Sequence, residues 1–193
     1  MPTYKKFKII RMPKLNADTK EQIKRLDKKA LQDIVIKMAS RDKTVFDYVK
    51  VNYLDKEFGE DELFEETKAD LQQLFSKQYK GFAEQLRVAN MLSACIKRVN
   101  EFTKVSKNKV LEAELLIFIL DYPFSLPDDF FGTAFTKFDT KVATIVKRLI
   151  TLVTKRLHED YKLDYKNKIN GYLEFLHRNS NHNDTVYNLP LEI

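Results

Sequence analysis

The placement of proline and glycine constrains this chain more than any other feature. The five prolines lie at positions 2, 13, 123, 127 and 190, so residues 14–122 and 128–189 contain nothing that is excluded from a helix interior. The four glycines, at positions 59, 81, 132 and 171, are isolated from one another. The sequence therefore has neither a glycine-rich phosphate loop nor the clustered turns of a sheet. This pattern predicts an all-α protein.

Composition places the chain in a broad class. A length of 193 residues allows one domain with a sizeable core and no need for a disulfide or a metal. The single cysteine, Cys95, lies in an apolar run at 89–96, which indicates a small buried side chain and a reducing compartment. The apolar run near the start is too short for a secretory signal, and no window reaches membrane-spanning length. We therefore expect a cytoplasmic protein with no membrane partner.

Capping residues and apolar spacing suggest how the chain is organised. We predict a basic N-terminal arm (1–17), a single helical domain (18–178) and a polar, mobile C-terminal tail (179–193). Asp18 is predicted to cap a first short helix, and Asp27 a second one that ends at Ser40. The second helix carries one apolar stripe, which we expect to be buried: Leu31, Ile34, Val35 and Met38.

Helical periodicity continues along the rest of the chain. Further helices are predicted over 43–54, 61–80, 83–106, 110–121, 136–161 and 165–178. The helix at 43–54 is expected to fold back on the one before it, with Phe46 and Tyr53 on its buried side. The most apolar helix, 110–121, should end before Pro123 and bury Leu116, Phe118 and Leu120. The predicted fold is an irregular array of antiparallel helical hairpins around this central buried helix.

The first predicted hairpin carries a resemblance. Its residues are Leu26-Asp-Lys-Lys-Ala-Leu-Gln-Asp-Ile-Val-Ile-Lys-Met-Ala-Ser-Arg-Asp42 followed by Val45-Phe-Asp-Tyr-Val-Lys-Val-Asn-Tyr-Leu54. This stretch resembles the opening of an uncharacterised bacterial family of all-helical domains, and stacked hairpins of this kind are loosely similar to HEAT-type repeats. The resemblance covers residues 26–122. It implies a helical fold and a cytoplasmic setting, and it brings no catalytic residue.

One pair of side chains has the spacing of a metal-binding motif. Glu174 and His177 are three residues apart, as in helices that hold di-iron centres, but such a centre needs a second pair and two further glutamates. We interpret the pair as an ordinary surface contact. His158 is placed at the end of a long helix, where it would meet the negative end of the dipole, and His182 falls in the tail. We therefore expect no metal, no cofactor and no enzymatic activity.

Charge is distributed unevenly along the chain. The formal net charge is +6, yet residues 55–70 hold eight acidic residues against two lysines. On the helix predicted over 136–161, the face opposite the apolar stripe carries only cations and threonines. The cations of this candidate binding face are Lys137, Lys141, Lys147, Arg148 and Lys155.

The basic face leaves two functions open. It could pair with an acidic surface, for which residues 55–70 of this or another subunit are the nearest candidate, or it could follow a phosphate backbone. No aromatic residue alternates with the lysines, which argues against recognition of single strands by base stacking. The sequence offers no paired nucleophile and base. The predicted function is a non-catalytic scaffold or protein-interaction module with a protein partner, and nucleic-acid binding by the 137–155 helix is the alternative.

Overall fold

The computed structural model describes residues 15–193, and every regular element within that range is a helix. The predicted all-α class is confirmed. Residues up to Asp42 belong to one compact unit and residues from Lys43 onward to a second. The single domain over 18–178 stays a prediction. Of the basic arm predicted for 1–17, residues 1–14 lie outside the described residues. None of the helices in residues 15–193 combines the length and the apolar character that a membrane span requires.

The first unit contributes two short helices, α1 (Ala17–Lys24) and α2 (Lys28–Ala39). The side chain of Asp27 accepts a hydrogen bond of 2.7 Å from the backbone N–H of Ala30, which confirms the predicted cap of α2. The first helix starts earlier than predicted. Its cap is Asn16, which accepts from the N–H of Thr19, so Asp18 lies inside the first turn.

The apolar stripe of α2 is not buried, contrary to the sequence prediction. Ile34 is 43% exposed, Val35 44% and Met38 52%, while Leu31 is half-buried. The residues of α1 and α2 include no buried side chain. Two helices of this length offer each other too little surface to form a core within their own unit. The predicted hairpin of α2 with residues 43–54 crosses the boundary between the units and stays a prediction.

The second unit contains the remaining helices. They are α3 (Lys43–Val49), which continues as a π-helical segment (Lys50–Leu54), α4 (Gly59–Phe75), α5 (Glu84–Val105), α6 (Lys109–Phe124), α7 (Lys137–Arg156), α8 (Glu159–Ser180) and α9 (Asp184–Tyr187). A 3₁₀ turn at Asp128–Phe130 lies between α6 and α7.

The junction of α7 and α8 differs from the prediction. The long helix ends at Arg156 because Leu157 is extended, and α8 begins at Glu159, six residues earlier than expected. The ring of His158 accepts a hydrogen bond from the N–H of Asp160 and is the N-cap of α8. His158 therefore lies just after the C-terminal end of α7, as predicted, and also at the positive N-terminal end of α8.

Hydrogen bonds between helices give their directions. Glu60 and Asp70 of α4 bind Ser106 and Arg98 respectively, so α4 and α5 are antiparallel. By contrast, α5 and α7 run parallel, because Lys137 binds Asn90 and Arg148 binds Asn100. Since α6 connects two parallel helices, α5, α6 and α7 form successive antiparallel pairs, as the sequence predicted.

The core of the second unit lies between α4, α5, α6, α7 and α8. In α6, Leu116 and Leu120 are fully buried as predicted, but Phe118 is half-buried and packs on Phe75 with ring centroids 5.6 Å apart. The helix also continues through Pro123, which sits in its last turn. There the missing N–H removes only one hydrogen bond before the helix ends. The amphipathic α7 packs against α5, α6, α8 and α9, so it shares the central position with α6.

The C-terminal segment is packed, in contrast to the predicted mobile tail. Val186 of α9 is buried, and so is Leu189, which lies two residues after the end of this short helix. Asn183 donates to the carbonyl of Thr136 and to the hydroxyl of Thr140 at the start of α7. These contacts fix residues 183–189 to α7.

Candidate functional site

The five cations predicted on one helix lie on the solvent side of α7. Lys137, Lys147 and Lys155 are exposed, and Lys141 and Arg148 are half-buried at the edge that faces α5. The opposite side of α7 is part of the core. The face proposed from the sequence therefore exists as a surface.

Arg148 is held in place by a buried carboxylate. Its Nη2 donates to Oε1 of Glu112 at 2.7 Å, and its Nη1 donates to Oδ1 of Asn100 at 2.6 Å. Lys109 Nζ donates to the other carboxylate oxygen of Glu112, also at 2.7 Å. Burial raises the pKa of Glu112, but the hydrogen bonds and charges of Lys109 and Arg148 outweigh it, so the pKa lies below its ordinary value. Glu112 thus stays ionised and offsets much of the charge of Arg148.

Most of the other cations on α7 are not paired with a carboxylate in the described part of the chain. Lys137 donates only to the neutral Oδ1 of Asn90. Within residues 15–193, Lys141, Lys147 and Lys155 have no ion pair, nor does Arg156 beside them. These positive charges therefore face solvent without compensation from the described part of the chain.

Two lysines of α5 extend this surface and were missed by the sequence analysis. Lys97 and Lys104 follow Asn90 at seven-residue steps, about two helical turns each, so they lie on the side of α5 that carries Asn90. Both are exposed and lack an ion pair among the described residues. The seven-residue spacing was visible in the sequence, but the parallel pairing of α5 with α7 was not. We call the combined region the basic surface: Lys97, Lys104, Lys137, Lys141, Lys147, Arg148, Lys155 and Arg156.

Threonines separate the cations of α7. Thr140, Thr144, Thr151 and Thr154 each donate the hydroxyl to the carbonyl four residues earlier, at 2.6–2.9 Å. Threonine is a poor helix former compared with alanine or lysine. Because the threonine side chain is short and its hydroxyl is bonded to the helix backbone, it protrudes less from the helix than the lysines on either side.

The basic surface includes a shallow depression of about 660 Å³ where α7 passes the start of α6. Its charged lining consists of Lys109, Lys147, Arg148 and Arg156, with Glu112 as the only carboxylate of that lining. Because Glu112 is already bonded to two of these cations, the depression attracts anions.

Within the second unit, the acidic stretch at 55–70 does not pair with this surface. Pairing with the same stretch of another subunit stays a prediction. Glu62 pairs with Lys50, Glu66 with Lys43, and Asp70 with Arg98. These lysines and this arginine come from α3, the π-helical segment and α5. The acidic residues therefore join α4 to its neighbours and leave the basic surface open.

The residues considered for metal or nucleophilic chemistry have structural contacts. Nε2 of His177 lies 3.2 Å from the carbonyl oxygen of Pro190, whereas Glu174 is exposed. No group of three or more His, Cys, Asp or Glu residues in 15–193 could hold a metal ion. Cys95 is buried as predicted, and burial raises the pKa of its thiol to about 12. The thiol is therefore protonated at neutral pH.

A second exposed region lies on α3 and the segments that follow it. The π-helical segment brings Tyr53 against Tyr48, with ring centroids 6.0 Å apart. Phe46 and Tyr53, predicted to be buried, are 47% and 64% exposed. We call this region the aromatic surface: Phe46, Tyr48, Tyr53, Leu54 and Phe58.

Comparison of the chain with models of protein families, with curated proteins and with solved structures finds no match. The helical fold implied by the resemblance of residues 26–122 is confirmed, and the bacterial family itself stays a prediction.

Proposed function

We propose that this protein is a non-catalytic interaction module that binds an anionic macromolecule on the basic surface. The observation that carries the proposal is the set of cations on two packed helices, of which all but Arg148 have no ion pair in the described chain. Like charges on one face repel each other and oppose folding. A binding role accounts for their presence.

The helices below the basic surface form a rigid support. Val99 and Phe102 of α5, and Val142 and Val146 of α7, are fully buried beneath it. Glu112 and Asn100 fix Arg148 from below. A surface built on packed helices positions its charges better than one built on loops. The stacked antiparallel pairs of α4–α7 also support the likeness to HEAT-type arrays, and the unpaired Cys95 supports a cytoplasmic location.

The proposal is tested by binding of the full chain to generic polyanions. Fluorescence anisotropy at low salt would measure its affinity for labelled polyglutamate and for a sulfated polysaccharide. Lys141→Glu combined with Lys147→Glu should weaken binding at least tenfold, because it reverses two charges at the centre of the surface. Lys56→Glu with Lys77→Glu changes the net charge equally at exposed sites elsewhere. Equal losses in both double variants would contradict the proposal.

The aromatic surface supports a second candidate function, docking of a protein partner. Tyr53, Leu54 and Phe58 are 58–72% exposed, and clustered apolar side chains of this kind mark protein interfaces. Residues 43–66 contain eight carboxylates and three lysines. The complementary partner is an amphipathic segment with apolar and basic side chains.

A pair of designed peptides would test this second function. An amphipathic helical peptide of leucine and lysine should bind at least tenfold more tightly than a leucine–glutamate peptide of the same length. Tyr53→Ser with Leu54→Ser should weaken binding of the leucine–lysine peptide by removing the apolar contact. Binding of the lysine peptide that is unchanged in this variant would show that the aromatic surface plays no part.

A further inference from the structure

We infer that the anionic partner of the basic surface is duplex nucleic acid, bound through its phosphate backbone without recognition of base sequence. This inference rests on the proposed function and specifies its ligand. The supporting observations are the composition of the surface, the arrangement of its cations in two rows and the side chains that it lacks.

The composition favours phosphate over an acidic protein. The large apolar side chains that are exposed in the described chain all lie outside α5 and α7. A protein interface has an apolar core within a polar rim, whereas interfaces with nucleic acid are more polar and strongly positive. The basic surface consists of cations and threonines with no apolar centre, which is the composition typical of an interface with nucleic acid.

The cations form two roughly parallel rows. On α7, Lys141, Arg148 and Lys155 follow each other at seven-residue steps, about 10.5 Å along the helix axis. Lys97 and Lys104 repeat this step on α5, whose axis lies about 8–10 Å away, the usual distance for packed helices. From Lys137 to Lys155 the surface is about 27 Å long. A duplex presents two phosphate strands with one charge per about 1.7 Å of its axis, so its phosphates are dense enough to meet cations of both rows.

The side chains of the surface favour a duplex over a single strand. Within α5 and α7, no aromatic side chain is among the exposed large hydrophobic residues, so unpaired bases have nothing to stack on. The two helices also lie side by side, so neither projects alone as a recognition helix does in a major groove. Lysine supplies a flexible point charge, which suits contacts to phosphate. Binding should therefore depend on charge and strand geometry and not on base sequence.

The experiment measures binding of the full chain to a random 20-base-pair DNA duplex, to one of its strands and to polyglutamate. We expect a micromolar Kd for the duplex at 50 mM salt. With about four phosphate contacts, log K falls with a slope of about −3.6 against log salt, so affinity at 200 mM salt should be about 150-fold lower. Lys141→Glu with Lys147→Glu should abolish duplex binding, and Lys56→Glu with Lys77→Glu should retain most of it. The single strand should bind at least tenfold more weakly.

The outcomes separate this inference from the proposed function. If polyglutamate binds through the basic surface while the duplex does not bind at 50 mM salt, the nucleic-acid inference is overturned and the interaction module stands. Equal affinity for the single strand and the duplex also overturns the inference. If no polyanion binds, or if both double variants lose binding equally, the inference and the proposed function fail together.

Discussion

At the scale of single residues, the buried carboxylate of Glu112 fixes the position of a cation on the basic surface. Its carboxylate is 7% exposed and receives hydrogen bonds from Lys109 and Arg148. In the sequence, Arg148 is recognisable as a surface cation, but no motif marks Glu112 as its partner. Nothing in the spacing of residues 112 and 148 reveals that α6 and α7 bring them together. Contacts between distant residues of this kind depend on the packing of helices.

This arrangement predicts a pH-dependent effect of Glu112→Gln. The variant should lower the free energy of unfolding by about 1–3 kcal/mol at pH 7, because charged hydrogen bonds are replaced by neutral ones. The folded-state pKa of Glu112 lies below its ordinary value of 4.5. Its contribution is therefore complete above pH 4.5 and is lost as the pH falls through the folded value. Urea denaturation at several pH values should show the two proteins converging in acid. A difference that stays constant with pH would contradict the role assigned to Glu112.

Two glycines offer a matched comparison. Gly132 has a φ of +69°, and a Cβ there would lie 2.3 Å from the carbonyl oxygen of Asn179, whereas a Cβ at Gly171 in α8 would meet nothing within 4 Å. Gly171→Ala should raise the free energy of unfolding by about 0.5–1 kcal/mol. Gly132→Ala should lower it by more than that, since both the backbone angle and the space are unfavourable. Thermal melting of the two variants should therefore shift in opposite directions.

At the scale of elements, periodicity predicted where the helices are but not which of their faces are covered. The stripes of α2 and α7 look alike in sequence, with apolar residues three and four apart. Within the second unit, α7 packs against four other helices, so Val142 and Val146 are buried. Within the described part of the first unit, α2 has only the short α1 beside it, and Ile34 and Val35 are exposed. Periodicity identifies the apolar side of a helix, and only the arrangement of its neighbours decides whether that side is in the core.

The same distinction predicts a rank order within α6. Leu116→Ala should lower the free energy of unfolding by about 2–5 kcal/mol, because Leu116 is fully buried. Phe118→Ala removes a larger side chain, yet the loss should be smaller because Phe118 is half-buried and packs mainly on Phe75. Chemical denaturation of both variants would measure the order. A larger loss of unfolding free energy for Phe118→Ala than for Leu116→Ala would show that the contacts of Phe118 contribute more than the full burial of Leu116.

At the scale of the whole molecule, the acidic and the basic side chains of the second unit differ in whether they form ion pairs. The acidic residues of α4 pair with Lys43, Lys50 and Arg98 and so contribute to packing. The cations of α5 and α7 mostly lack such partners. Overall charge and its separation along the chain were visible in the sequence. The ion pairs that the acidic residues form within the fold could not be predicted from the sequence, because they depend on the placement of α3 and α5 beside α4.

If the basic surface is kept for binding, it should oppose folding in the free protein. Lys141→Gln with Lys147→Gln removes two mutually repelling charges and should raise the free energy of unfolding by about 0.5 kcal/mol at low salt. The gain should vanish near 1 M salt, where the screening length is about 3 Å. Lys56→Gln with Lys77→Gln is the control, because Lys56 lies within the acidic stretch and its removal should bring no such gain. Thermal melting at both salt concentrations measures the difference. A stabilisation that persists at 1 M salt would come from helix propensity and not from charge repulsion. The cations of α7 would then not destabilise the free protein, and this argument for a binding role would be lost.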